Sequence, residues 1–108
     1  MTYSVRITRS ARRDFEELYD WIAEHDSPGN AEYVLDQLSR VVESLKSFPH
    51  RGTFPRELPP GMKEKFRQEF IKPYRVIYEH SGEEVVIHLI ADGRRDLQYL
   101  LLRRLTND

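Results

Sequence analysis

The sequence predicts an α+β fold. It has an N-terminal strand, an antiparallel helical hairpin, a three-stranded antiparallel meander and a short C-terminal helix, in one sheet with helices packed on one face. Three observations predict it. Two consecutive segments carry apolar residues at helical spacing, over about 11–25 and 28–47. Two β-rich runs, Tyr74–Glu79 and Val85–Ile90, flank a polar turn at His80–Glu84 that contains Gly82. A Gly-Arg-Arg-Asp segment, Gly93–Asp96, then leads into a leucine-rich stretch. The 108 residues are read as a single domain spanning 1–108, with a small core.

In chain order, Tyr3–Thr8 alternates Tyr3, Val5 and Ile7 against Ser4, Arg6 and Thr8, which reads as a strand. Ser10 is the expected N-cap of the first helix. Ala11, Phe15, Leu18 and Ile22 form its buried stripe, and Asp14, Glu16, Glu17, Asp20 and Glu24 its outer faces. Ser27-Pro28 starts a second helix, with Ser27 as cap and Pro28 at the first helical position. Its wide apolar face includes Ala31, Val34, Leu35, Leu38, Val41, Val42 and Leu45, and Phe48 is expected to continue that packing. The break at His25–Ser27 is short enough to force an antiparallel hairpin.

Pro49 stops the second helix. Pro49–Met62 is rich in proline and glycine and reads as an irregular loop. Its length suggests either a partner-contacting role or a rigid crossover, and the crossover is the expected one. Lys63–Lys72 alternates Phe66, Gln68 and Phe70 against Lys65, Arg67, Glu69 and Ile71, so another strand is expected, ended by Pro73. The sheet face away from the hairpin is expected to carry Arg75 and Arg67.

Arg75 sits in an apolar strand opposite in facing to Tyr74, Val76 and Tyr78. A cation there is costly unless its face is open or it is paired. Two readings follow. Either Arg75, with Lys65, Arg67, Arg94 and Arg95, forms a basic face for an anionic target, or it pairs with a carboxylate such as Glu79 or Asp96. Arginines can hold phosphate, but cleavage also needs a general base and acid, for which His88, Tyr74, Tyr78 and Tyr99 are the nearby candidates.

Composition narrows the function further. The formal net charge is −1, with acid in excess over residues 1–26 and base in excess over 49–80. Dense phosphate neutralisation favours a basic chain, so nucleic acid is disfavoured as the main ligand. The chain has no cysteine, and its four histidines share no ligand spacing, so neither a metal nor another cofactor is expected. No run is long and apolar enough for a membrane span, and the N-terminus lacks a signal-peptide pattern. No membrane partner and a cytoplasmic setting are therefore expected.

The ordered set SARRDFEELYDWIAE, SPGNAEYVLDQL, SLKSFPHRG, PYRVIY and VVIHLIADGRRDLQYLLLRRL resembles the RelE/ParE superfamily. These are toxins of type II toxin–antitoxin modules, also called plasmid stabilisation proteins. The resemblance spans about residues 5–105 and implies the fold deduced above. It implies one of two activities. RelE-like members cut mRNA in the ribosomal A site; ParE-like members poison DNA gyrase. Arg75 and Arg95 match phosphate-contacting arginines of the RelE-like enzymes. Phe66 and Gln68 stand where those enzymes carry lysines, Leu101 where the catalytic tyrosine would be, and no histidine follows His88. The resemblance is therefore ParE-like, implying a gyrase inhibitor. The alternatives are a ribosome-dependent endoribonuclease with Arg75 and Arg95 in catalytic roles, or an inactive homologue working only in a repressor complex.

A cognate antitoxin is the implied partner, docking by a segment that folds on binding. On the last helix Leu97 and Leu101 are expected to pack on the sheet. Leu100 and Leu105 remain for the antitoxin, with Arg103 and Arg104 as pairing sites for its acidic residues.

Overall fold

A computed structural model describes residues 2–62 and 64–107. The elements are β1 (Ser4–Ile7), α1 (Arg9–His25), α2 (Pro28–Ser47), β2 (Phe66–Ile71), β3 (Tyr74–Ser81), β4 (Glu84–Asp92) and α3 (Leu97–Asn107). The sheet order is β1-β4-β3-β2. β1 runs parallel to β4, and the other neighbours are antiparallel. The expected α+β architecture is present. Of the strand expected over Lys63–Lys72, Phe66–Ile71 forms, and Lys63 lies outside the described residues.

Local chemistry explains the element ends. Ser27 caps α2, its Oγ accepting from the Asn30 amide at 3.0 Å, with Pro28 in the first turn. The first helix starts earlier than expected. Thr8, not Ser10, is the cap, with its Oγ1 accepting from the Ala11 amide at 3.0 Å. Thr8 is extended because its own amide still donates to Ile87 O at 3.1 Å, so the strand's last bond fixes the helix start. Gly82 takes φ +61 in the β3–β4 turn, a conformation without a Cβ penalty only for glycine.

The helical hairpin covers one face of the sheet. Phe15, Ile22, Leu38 and Leu45 pack there against Val76, Tyr78, Ile87 and Ile90. The expected continuation at Phe48 does not form: the chain turns after the helix and leaves Phe48 63% exposed. Leu35 also falls outside the buried stripe.

The opposite face is not open. Leu58, Phe66, Ile77, Leu89, Leu97 and Leu101 form a second cluster there. The hairpin thus packs on one face as expected, while the short α3 takes the other, because Ile77 and Leu89 need cover. Leu97 and Leu101, both buried, provide it as foreseen, each worth about 1.5–3 kcal/mol.

A β-bulge reverses the facing of β4. Tyr78 pairs with Ile87 and Ile77 with Leu89, leaving His88 as the extra residue. Before the bulge Val85 and Ile87 face the hairpin; after it Ile90 does.

The Pro49–Met62 loop is a crossover around the β2 edge. On the hairpin side, the Tyr78 hydroxyl donates to Pro49 O at 2.9 Å and accepts from the Gly52 amide at 3.0 Å. Arg67 donates from Nη1 to His50 O and Gly52 O at 3.2 and 3.0 Å. Thr53 then bridges to Gln68 on the strand edge, with bonds of 3.1 and 2.8 Å. Leu58 finally enters the second cluster.

Gly52 fits because it has no side chain. A Cβ there would lie 2.5 Å from the Tyr78 hydroxyl and 2.6 Å from Gln68 O. Gly52→Ala is expected to destabilise the protein by about 1–3 kcal/mol, the usual cost of overpacking. Urea unfolding of the purified variant checks this, and an unchanged midpoint would remove the loop clamp from the account.

Candidate functional site

Strand register decides where each candidate residue goes. Arg75 pairs with Phe70 and Ala91, and Gln68 with Ile77, so all of these share the face away from the helical hairpin. Arg67 pairs with Tyr78 and therefore points to the hairpin side. The expectation that Arg67 and Arg75 share a face is corrected: their separation of eight residues spans the β2–β3 turn, and the antiparallel register sets their facing.

Arg75 is 7% exposed, and each of its three guanidinium nitrogens is hydrogen-bonded. Its Nη1 and Nη2 form a two-pronged pair with the Glu57 carboxylate, the Nη2–Oε1 distance being 2.9 Å. Its Nε donates to Gln68 Oε1 at 2.9 Å, and Nη2 reaches the same oxygen. Gly93 lies against the Arg75 stem; a Cβ there would meet its Cγ and Cδ at 3.3 Å. The paired reading of Arg75 therefore holds, but with different partners. Glu79 is instead hydrogen-bonded to His88 Nε2 at 3.1 Å, and Asp96 Oδ1 caps α3 by accepting from the Tyr99 amide at 3.0 Å. Hydrogen bonding to Arg75 holds the Glu57 carboxyl below its ordinary value of 4.5.

The five-residue basic face does not assemble. Arg67 is used on the loop and stacks over Phe54, its guanidinium carbon 4.4 Å from the ring centroid. Arg94 forms a two-pronged pair with Asp92, at 3.0 and 2.9 Å. Hydrogen bonding to Arg94 pulls the Asp92 carboxyl down to about 2. Arg94 and Arg95 line a groove of about 440 Å³ with Asp14, Glu17, Trp21 and Tyr74, whereas Arg75 floors a different cleft. Lys65 is exposed. The sequence shows five cations; register and internal carboxylates disperse them.

The acid and base candidates fare similarly. Tyr78 is buried and committed to the loop, and burial raises its phenol pKa. Tyr74 and Tyr78 share the face opposite Arg75 by alternation. Tyr99 is half exposed on α3, its hydroxyl accepting from Arg103 Nη1 at 3.2 Å. Among the described residues no group of three or more His, Cys, Asp or Glu could hold a metal ion, and no helix is long and apolar enough to cross a membrane.

Among the expected antitoxin contacts, Leu105 is 41% exposed and Leu100 is partly buried against the second cluster. Arg103 is exposed. Arg104 is corrected to an internal role. Its guanidinium pairs with Asp14 at 2.9 and 2.8 Å and donates to His88 O at 2.6 Å. Asp14, expected on the outer face of α1, turns inward instead, because its Oδ2 also accepts from the Ile90 amide at 3.0 Å.

Glu57, Gln68 and Asp14 were missed as site-forming residues. Gln68 had a signal: a polar residue between Phe66 and Phe70 on an alternating strand. Asp14 had a weaker one, lying three residues from Ala11 and four from Leu18, beside the apolar stripe. Glu57 had none, because a loop carries no periodicity.

Residues 5–97 match the family described as ParE toxin of type II toxin–antitoxin system, parDE. Toxin ParE3 of Caulobacter vibrioides is 32% identical over 90 residues, covering 83% of this chain and 86% of that protein. A chain of the chromosomal ParDE system from P. aeruginosa superposes with a TM-score of 0.68 at 20% identity, covering 84% of this chain and 96% of that one. A chain of the RelBE2 toxin–antitoxin complex from Mycobacterium tuberculosis gives 0.55 at 25%, covering 85% and 99%.

Two outcomes test the site's internal pairs. Arg104→Met is expected to cost about 2–3 kcal/mol, because Asp14 and His88 O lose charge-assisted bonds in a partly buried place. Hydrogen exchange at Ile90 and its neighbours should rise with it; unchanged protection would mean the pair is incidental. For Glu57, the folded-state pKa is depressed, so its contribution is full above about pH 4.5 and disappears as pH falls through the folded value. Glu57→Gln should therefore lower the melting temperature relative to wild type at pH 7, and the loss should shrink as pH falls through the folded carboxyl's lowered value. A loss that does not change with pH down to full protonation would show that the carboxylate's charge is not what matters.

Proposed function

Because the chain belongs to the ParE toxin family of type II toxin–antitoxin systems, we propose that it arrests growth by inhibiting DNA gyrase and is neutralised by a cognate antitoxin. The observation that carries the choice of target is the state of Arg75. An arginine that stabilises a cleaving phosphodiester must present free N–H groups to the developing charge. Arg75 gives its guanidinium nitrogens to Glu57 and Gln68, and Arg94 gives Nε and Nη2 to Asp92. Of the tyrosine candidates, Tyr74 and Tyr78 lie on the sheet face opposite Arg75. This favours a protein-binding poison over an endoribonuclease, a reading in which Arg75 has no catalytic role.

On this reading the chain works in the cytoplasm, where gyrase is, and needs no cofactor. The target-facing cations are Lys65 and Arg95, with Arg94 held by Asp92. The antitoxin contacts α3 through Leu105 and the exposed edge of Leu100, beside Leu102 and Tyr99, with Arg103 pairing an acidic residue. Docking there extends the apolar surface that α3 already buries on its inner side.

The test is induced expression without antitoxin, with mRNA 5′ ends mapped and supercoiling by gyrase assayed from the same culture. Lost supercoiling with intact message is the expected result, reversed by co-expressed antitoxin. Cuts at A-site codons with normal supercoiling would replace the gyrase reading with the ribonuclease one. Growth with neither change would leave an inactive partner in a repressor complex.

A further inference from the structure

A cleft of about 640 Å³ opens beside the β2 edge on the face away from the helical hairpin. Arg75 and Gln68 form its floor, Phe54 and Phe70 its walls, and Arg56 and Glu57 its mouth. Three features of this cleft are unlike an ordinary structural ion pair.

The first is the asymmetry of the pair. The Arg75 side chain is 8% exposed and the Glu57 side chain 42%. The cation is fixed at the bottom and the anion reaches in from solvent. The second is that Arg75 does not need Glu57 for its orientation. Gln68 Oε1 accepts from Nε and Nη2, while Glu57 accepts on the other edge. Removal of Glu57 leaves the guanidinium held, with a vacant two-pronged edge. The third is that the loop is anchored without Glu57. Thr53 is bonded to Gln68 before it, and Leu58 is 2% exposed after it. The Glu57 side chain can swing out while the backbone stays.

We propose that Glu57 is the resident occupant of a carboxylate site, and that an acidic side chain of a partner polypeptide exchanges with it. The residue now in the site defines its chemistry: a planar carboxylate matched to a guanidinium fork. The walls define what flanks it. Phe54 is 42% exposed and Phe70 50%, so an aliphatic or aromatic residue next to the acid would bury apolar surface on both. A polyanion is a poorer fit. Among the described residues Arg75 and Arg56 are the only cations that line the cleft, the released Glu57 carboxylate stays at its mouth, and the chain's net charge is −1. The partner segment is thus acidic and apolar, and the inference stands whether or not gyrase is the target.

A resident competitor lowers the apparent affinity by the fraction of time it fills the site. The test uses the full chain and the peptide acetyl-Leu-Glu-Phe-amide, followed by NMR at the Arg75 Nε–Hε resonance. Glu57→Ala should bind it about tenfold more tightly than wild type, with Glu57→Gln between them. The matching peptide with Gln in place of Glu should bind Glu57→Ala at least about tenfold more weakly, a comparison that needs no change at Arg75. Equal affinity of wild type and Glu57→Ala would overturn the exchange. Equal binding of the two peptides would overturn the carboxylate assignment. A short oligouridylate that shifts Arg75 more strongly than the peptide would move the site to nucleic acid and overturn the partner class.

Discussion

β1 is only four residues long, and that constraint shapes much of the molecule. It pairs with β4 as far as Ile87 and then ends in the cap of α1. Beyond that point the outer edge of β4 would expose main-chain groups next to a packed core, which is unfavourable for each unpaired group. The bulge at His88 turns His88 O and Ile90 N towards this edge, and the Asp14–Arg104 pair meets both. Two side chains, 90 residues apart in sequence, thus stand where another strand would be. The same pair ties α1 to α3, so α3 is fixed over Ile77 and Leu89. An arginine near a helix C-terminus suits the helix dipole, but here its position is dictated by the strand edge.

The other edge is treated differently. β2 is covered by a loop that starts on the hairpin side and finishes on the far face. Tyr78 and Arg67 hold its first part, and Gln68 its middle. Glu57 and Leu58 hold its last part. This is the rigid crossover expected for a proline-rich segment, and it has an electrostatic consequence. The basic residues in excess over 49–80 are spent partly on carbonyls and carboxylates of the loop itself. The local charge surplus read from sequence therefore overstates the charge presented to a partner.

What was legible in the sequence follows from periodicity and caps. Ser27 and Pro28 start a helix for local reasons, and alternation locates three of the strands in any context. The helical spacing of Leu97 and Leu101 already points them at the sheet, where both are buried. What was not legible depends on register and on distant partners. One extra residue at His88 exchanges the faces of β4 beyond it, and nothing in Val85–Ile90 announces the bulge. Ser10 is the cap that the sequence suggests, and the bond from the Thr8 amide to Ile87 O moves the cap to Thr8. Asp14 reads as a surface acid until Ile90 and Arg104 are beside it. The need of Arg75 for either an open face or a partner is legible from its apolar strand. Its partner came from a loop whose path no local pattern predicts.

These distinctions bear on how a family likeness is read at the level of a site. An arginine at a matching strand position carries the same formal charge in every relative, but its chemistry depends on which donors are free. In this chain Gln68 stands on the strand where a second cation would have repelled Arg75 and drawn in an anion from outside. A neutral amide orients the guanidinium instead, and the remaining charge is met by Glu57. The pair is buried on one side and wet on the other, so its net worth to folding is limited by the desolvation of the arginine. A buried cation whose counter-ion can leave to solvent is better suited to recognising another carboxylate than to stabilising a transition state. A phosphate and a carboxylate must each displace Glu57 to reach the Arg75 fork, so the surroundings separate them: Phe54 and Phe70 offer apolar surface beside the fork, and the released Glu57 carboxylate repels a polyanion.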